Sequence, residues 1–244
     1  MPNILRVVLA WCVHLYTATG LLVAAGMAVL IVSGKPEDLL LALALMLLAT
    51  FIDSTDGALA RLAEVKRYAP SFDGRRLDDL VDFQTYTSLP LLLIWRAGLL
   101  PGPWAWLLLL PLLASAYGFS QVSAKTDDGY FLGFPSYWNV VAIYLYLLRP
   151  ETMVSVLVIT GFSILTFVPT RYLYPSQRTP FSRLTIMLSL IWAVLLAVII
   201  LGQPHGWEWL TWGSLAFPAY YLLMSWGISV AIWRRKEGEV VSRR

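Results

Sequence analysis

Asp53-Ser54-Thr55-Asp56-Gly57-Ala58-Leu59-Ala60-Arg61 is followed, one short loop later, by Gly74-Arg75-Arg76-Leu77-Asp78-Asp79-Leu80-Val81-Asp82. Each stretch adjoins an apolar run. Residues 39–52 lead into Asp53, and residues 83–95 follow Asp82. A bilayer-crossing helix needs about 20 apolar residues at about 1.5 Å rise each. The two runs hold only fourteen and thirteen residues, so each spans only if its acidic end is counted in. The sequence therefore predicts one helix over 36–67 and another over 74–96, with carboxylates at membrane depth. An ionised acid there is costly and marks a functional site. Such polar helix ends must face a hydrated cavity or a neighbouring helix, not lipid.

The remainder of the chain agrees with a life in lipid. Of 244 residues, 58% are hydrophobic and 14% charged, against about 25% charged in a soluble domain. Uncharged runs at 7–34, 97–124, 129–148, 152–170, 184–207 and 209–233 supply six further spans. The first exceeds the roughly 7–15-residue apolar stretch of a cleavable signal, and reads as a retained span. The expected fold is an all-α integral membrane protein of about eight transmembrane helices, a single polytopic domain over 1–244. Cys12 is the one cysteine, so no internal disulfide is expected. His14 and His205 lie far apart without clustered partners and read as structural. Trp104, Trp106, Trp207, Trp209 and Trp212 sit at helix ends, as in an interfacial aromatic belt.

Eight spans put both termini on one side. Of the 18 Lys and Arg residues, the opposite side keeps only Lys35, Arg96 and Arg149. Positive charge accumulates on the cytoplasmic side of a membrane protein, so both termini and all the motif acids are expected there.

Asp53 and Asp56 are three apart and share a helix face, on which Gly57, Ala60 and Arg61 also fall. Gly74, Asp78 and Asp82 recur every four residues and form a second stripe. Packed together, the stripes bring four carboxylates to one place. That calls for a positive charge between them, and a divalent metal is the simplest one. Gly57 and Ala60 leave room for a ligand or for close helix contact. Asp73 and Asp79 fall off both stripes and read as partners of the loop cations Arg61, Lys66, Arg67, Arg75 and Arg76.

The pattern D-x-x-D-G-x-x-A-R … G-x-x-x-D-x-x-x-D resembles the signature of the CDP-alcohol phosphotransferases, membrane enzymes of phospholipid biosynthesis. Asp53, Asp56, Gly57, Ala60, Arg61, Gly74, Asp78 and Asp82 fill every fixed position. The twelve residues 62–73 between Arg61 and Gly74 exceed the commonest spacing. That longer insert is similar to the bacterial phosphatidylcholine synthase branch. The resemblance implies an inner-membrane transferase that joins choline to CDP-diacylglycerol and releases CMP. It implies Mn²⁺ or Mg²⁺, two ions, held by Asp53, Asp56 and Asp78 with Asp82 close by. Asp82 would also be the general base. Gly57, Ala60, Arg61 and Gly74 would border the nucleotide and pyrophosphate. The implied partners are CDP-diacylglycerol, choline and membrane lipids, with a second copy of the chain in a homodimer and no nucleic acid.

Choline is a quaternary ammonium, held by aromatic faces and a nearby acid. Residues 127–139, with Tyr130, Tyr137 and Trp138, have that chemistry, and the Phe131-x-Gly133-x-Pro135 core resembles a segment of the phosphatidylserine and phosphatidylcholine synthase branches. Tyr86, one turn beyond Asp82, is a further candidate for the choline pocket. Arg171, in a connection with Tyr172, Tyr174, Pro175, Arg178 and Arg183, is the candidate for the lipid phosphate. Serine, inositol and glycerol phosphate are the rival acceptors. A cation carrier is the rival class, but carrier sites tend to lie at the midplane between repeats, and the chain shows no repeat.

Overall fold

The computed structural model describes residues 4–122, 126, 129–173, 182–203 and 207–242, with side chains described as far as residue 234. Lys125, Asp127, Asp128, Tyr174, Pro175, Arg178 and His205 lie outside the described residues, as do the side chains of Arg235, Lys236, Arg243 and Arg244. The protein is helical almost throughout, as expected. Five helical segments are long and apolar enough to cross a membrane: Ile4–Ser33, Pro36–Leu62, Gly102–Ser120, Ser182–Leu201 and Glu208–Arg234. Trp138–Leu148 and Thr152–Leu165 are shorter apolar helices. The chain forms two compact units, Met1–Leu108 with Tyr137–Thr152, and Leu109–Ser136 with Met153–Arg244.

In the first unit, α1 (Ile4–Ser33) and α2 (Pro36–Leu62) lie antiparallel, with Thr17 bonded to Asp56 and Gly26 facing Leu45. The buried stripe of α1 is Ala10, His14, Thr17, Gly20, Ala24, Met27 and Ile31. That of α2 is Leu39, Ala42, Leu43, Met46, Ala49, Ile52 and Asp56. Both stripes recur at three- and four-residue steps, and both contain small residues. Lipid is as apolar as leucine, so such helices associate through close packing. The opposite face of α1 leaves Leu5, Leu15, Leu22, Val29 and Val32 exposed, as a lipid-facing surface requires. Pro36 opens α2, and Glu37 and Asp38 in its first turn suit the helix dipole. Arg96 returns to the end of α1, where its guanidinium donates to the carbonyls of Val32 and Ser33.

The expected helix over 36–67 is interrupted. It stops at Leu62 and resumes as a single turn, α3 (Val65–Tyr68), after Glu64 adopts a left-handed φ of 48°. Glu64 is held there by Arg6 at 3.3 Å and Arg67 at 3.1 Å. The expected helix over 74–96 is continuous, but its middle is not α. It runs as α4 (Gly74–Asp82), a π segment over Phe83–Ser88, and α5 (Leu89–Arg96). The Leu89 amide reaches five residues back to the Gln84 carbonyl. Pro90 has no N–H to return to the Tyr86 carbonyl, and its ring crowds that oxygen; a wider turn relieves the conflict. The helix α7 (Trp138–Leu148) completes this unit.

The second unit contains α6 (Leu109–Ser120), α8 (Thr152–Leu165), α9 (Ser182–Leu201), α10 (Glu208–Ser214) and α11 (Ala216–Ser242). It also contains β1 (Tyr130–Leu132) and β2 (Arg171–Leu173), paired antiparallel with Phe131 opposite Tyr172. The expected span over 129–148 is corrected here: only its second half is helical. Gly133 has a φ of 82°, and a Cβ there would collide with the Thr166 carbonyl oxygen. Gly129 has a φ of 83°. Uncharged composition cannot reveal such a turn. The free edge of β2 is met by α11. Ser229 accepts from the Arg171 amide at 2.7 Å, Ser225 accepts from the Leu173 amide at 3.1 Å, and Tyr221 donates to the Leu173 carbonyl at 2.9 Å. Tyr221, Ser225 and Ser229 recur every four residues, so one helix face satisfies a strand edge that lipid could not. Trp104, Trp106, Trp209 and Trp212 are exposed, as a belt requires.

Candidate metal centre

The acids reach one another from two helices. Asp53 and Asp56 lie near the end of α2, and Asp78 and Asp82 lie on α4. The start of α4 is fixed by Asp73, whose side chain accepts from the Arg76 amide at 3.3 Å and pairs with the Arg76 guanidinium at 3.2 Å. Asp73 thus does the local work expected of an acid off both stripes.

Asp53, Asp78 and Asp82 converge. One carboxylate oxygen from each lies within 4.8 Å of the other two, and all three residues are half-buried. Three hard oxygen donors from two helices suit Mg²⁺, Mn²⁺ or Ca²⁺ better than a soft metal. The group could therefore hold a metal ion. Asp56 is not in this trio. It is 7% exposed, and its Oδ2 accepts from the Thr17 hydroxyl of α1 at 2.8 Å. Beside it, the Tyr16 and Thr55 hydroxyls are 2.7 Å apart.

Tyr86 stands in the π segment, and its hydroxyl donates to Asp53 Oδ2 at 2.6 Å. The tyrosine that the sequence offered only as a pocket wall thus also orients a carboxylate of the trio. Its ring centroid is 6.2 Å from that of Tyr137. Asn139 donates to Thr50, one turn before Asp53 on α2, at 3.0 Å. Trp138 is fully buried at the start of α7. Tyr130 lies on β1 in the second unit, as does Arg171 on β2.

The two motif glycines differ. A Cβ at Gly57 would meet only the tip of Arg61, at 3.6 Å, so protein packing leaves that place open. A Cβ at Gly74 would lie 2.7 Å from Cε1 of His14. His14 is buried between Trp11 and Phe72, with ring centroids at 5.9 and 4.6 Å. Ala60 is half-buried and Arg61 exposed at the last turn of α2. Thr17 escaped the sequence reading, and His14 was read as structural without its contact to Gly74. Their signal was polar residues three apart inside an apolar span, which motif spacing does not address.

No protein-family model matches the chain. Curated relatives do. The phosphatidylcholine synthase of Pseudomonas aeruginosa is 34% identical over 226 residues, 92% of this chain and 91% of that protein. That of Borreliella burgdorferi is 33% identical over 204 residues, 83% of this chain and 86% of its own length. That of Rhizobium meliloti is 28% identical over 222 residues, 91% of each. Similarity of this extent runs far beyond the thirty residues of the acidic motif and takes in the helices that carry it, and by it the chain belongs to the phosphatidylcholine synthase family.

Proposed function

We propose that the chain, acting as one polytopic domain over 1–244 in a bacterial inner membrane with both termini cytoplasmic, transfers the phosphatidyl group of CDP-diacylglycerol to choline and releases CMP. The observation that carries the chemistry is the convergence of Asp53, Asp78 and Asp82 within 4.8 Å. Family membership carries the substrates, since the relatives are named for phosphatidylcholine.

Asp53, Asp56 and Asp78, with Asp82, would hold the divalent ions, Mn²⁺ or Mg²⁺, two in number. Such ions, when bound, neutralise the pyrophosphate and the charge that develops on the leaving CMP. The Asp82 carboxylate takes the proton of the choline hydroxyl as its oxygen bonds to the lipid-side phosphorus and the bond from that phosphorus to the CMP oxygen breaks. A carboxylate beside cations is a weak base, so its proton transfer falls late in the reaction. Tyr86 keeps Asp53 turned to the centre. With Tyr137 it offers aromatic faces to a quaternary ammonium. The open place at Gly57, bordered by Ala60 and Arg61, receives the nucleotide and pyrophosphate. Gly74 is assigned instead to the close contact with His14. Arg171, Tyr130 and Trp138 remain proposed for the lipid phosphate and the choline side, and a homodimer for the assembly.

The test is to incubate membranes containing the protein with CDP-diacylglycerol, Mn²⁺ and labelled choline, serine, inositol and glycerol phosphate in parallel. Labelled lipid from choline, with stoichiometric CMP, is the expected result. Labelled lipid from serine at a matching rate defeats the choline assignment, and no metal-dependent CMP release from any acceptor defeats the whole reading.

A further inference from the structure

We infer that α1 is a third wall of the metal centre and that Thr17 is a positioning residue for the reaction, fixing the Asp56 carboxylate from behind. The inference rests on the metal reading above and adds to it a residue outside the motif.

The Thr17 hydroxyl has one proton to donate, and it spends it across the helix boundary on Asp56 Oδ2 at 2.8 Å. Many helical threonines and serines of this protein bond inside their own helix instead. Thr50 donates to the Met46 carbonyl, Thr85 to Val81 and Ser163 to Ile159, each four residues back within its own helix. Such back-bonding is the local alternative always open to a helical threonine. Thr17 forgoes it. Both partners are 7% exposed, so little water competes for either. An ionised carboxylate offers about four acceptor positions, and one of those of Asp56 is thereby committed to α1.

Two close approaches lock the register of this contact. Three residues before Thr17, the His14 ring fills the place of a Cβ at Gly74. Three residues after it, Gly20 admits Val81, whose Cγ1 would lie 2.5 Å from a Cβ there. Gly74 and Val81 flank Asp78 on α4. The same α1 face that holds Asp56 therefore also sets the height at which α4 presents Asp78 and Asp82. Hydrogen bonds to ligating carboxylates from outside the ligand set tune metal affinity, and their loss costs about 10–100-fold.

The test uses the purified full chain, stripped of metal, with Mn²⁺ binding followed by the electron paramagnetic resonance of free Mn²⁺ and CMP release measured against Mn²⁺ concentration. Thr17→Val keeps the shape and removes the donor; Thr17→Ser keeps the donor; Ser163→Ala removes a back-bonded hydroxyl elsewhere. Thr17→Val should weaken Mn²⁺ binding by about 10–100-fold and raise the Mn²⁺ needed for half-maximal turnover by a like factor. Thr17→Ser and Ser163→Ala should bind as wild type. If Thr17→Val does not fold, Thr17→Cys, a weak donor, carries the same expectation in the same direction. Wild-type affinity in Thr17→Val, or equal loss in Thr17→Ser, overturns the inference. A wild-type protein that binds no Mn²⁺ brings down the metal reading itself, and the inference with it.

Discussion

Gly74→Ala should damage the protein, and His14→Ala should rescue it. A methyl at Gly74 would sit 2.7 Å from His14 Cε1 and 3.0 Å from Nδ1. Non-bonded carbons prefer about 3.5–4.0 Å, so the overlap is on the order of 1 Å. The histidine cannot swing away freely, because Trp11 and Phe72 hold its ring. Overpacking of this kind costs about 1–3 kcal/mol. Gly74 is the first residue of α4, so the gain of about 1 kcal/mol that alanine brings inside a helix applies little there, and the net loss stays at roughly 1–3 kcal/mol. His14→Ala opens space and also removes a buried Nε2 that has no hydrogen-bond partner among the described residues, so its own cost should be small. The two changes are then strongly non-additive, with a coupling of about 1–3 kcal/mol. The assay is a double-mutant cycle of thermal stability in detergent, with CMP release measured alongside. Gly74→Ala should lower both, and the double variant should recover most of each. A double variant as impaired as Gly74→Ala alone would refute the packing account. It would return Gly74 to the nucleotide.

Asp53→Ala, Asp56→Ala and Asp78→Ala should each abolish turnover without loss of protein from the membrane, and a chelator should do the same to wild type; normal turnover in any of these sinks the metal site. In a background lacking Cys12, cysteines at Ser33 and Gln203 should react with an impermeant thiol reagent from outside, and one at Ser71 should not; the reverse pattern overturns the eight-span topology. Tyr137→Leu should raise the KM for choline while the KM for CDP-diacylglycerol moves little, whereas Asp82→Asn should lower kcat far more than either KM. Equal effects of Tyr137→Leu on both KM values would remove it from the acceptor side.

The relation of sequence to structure divides along physical lines. Periodicity within one helix is local, so the stripe Gly74, Asp78, Asp82 and the pairing of two short apolar runs with acidic ends were legible in the chain. So was the membrane class, because a charged fraction of 14% leaves no soluble alternative. Contacts between helices are not local, and these the tertiary structure decided. It brought Asp53 to Asp78 and Asp82, turned Tyr86 onto Asp53 through a π segment that Pro90 induces, and handed Asp56 to Thr17 of a helix outside the motif. Gly74, which the family resemblance sets beside the nucleotide, also packs against His14 of α1, a contact that spacing within one helix does not announce. The one span misread in kind, 129–148, failed for a related reason. Its residues are uncharged, but Gly133 is turned by the carbonyl of Thr166, and the strand it follows pairs with another whose edge is satisfied by Ser225 and Ser229, more than fifty residues along from that strand. Hydropathy reports what a segment can dissolve in. Which of its backbone groups find partners, and where its side chains end, depends on segments that the chain brings back from far away.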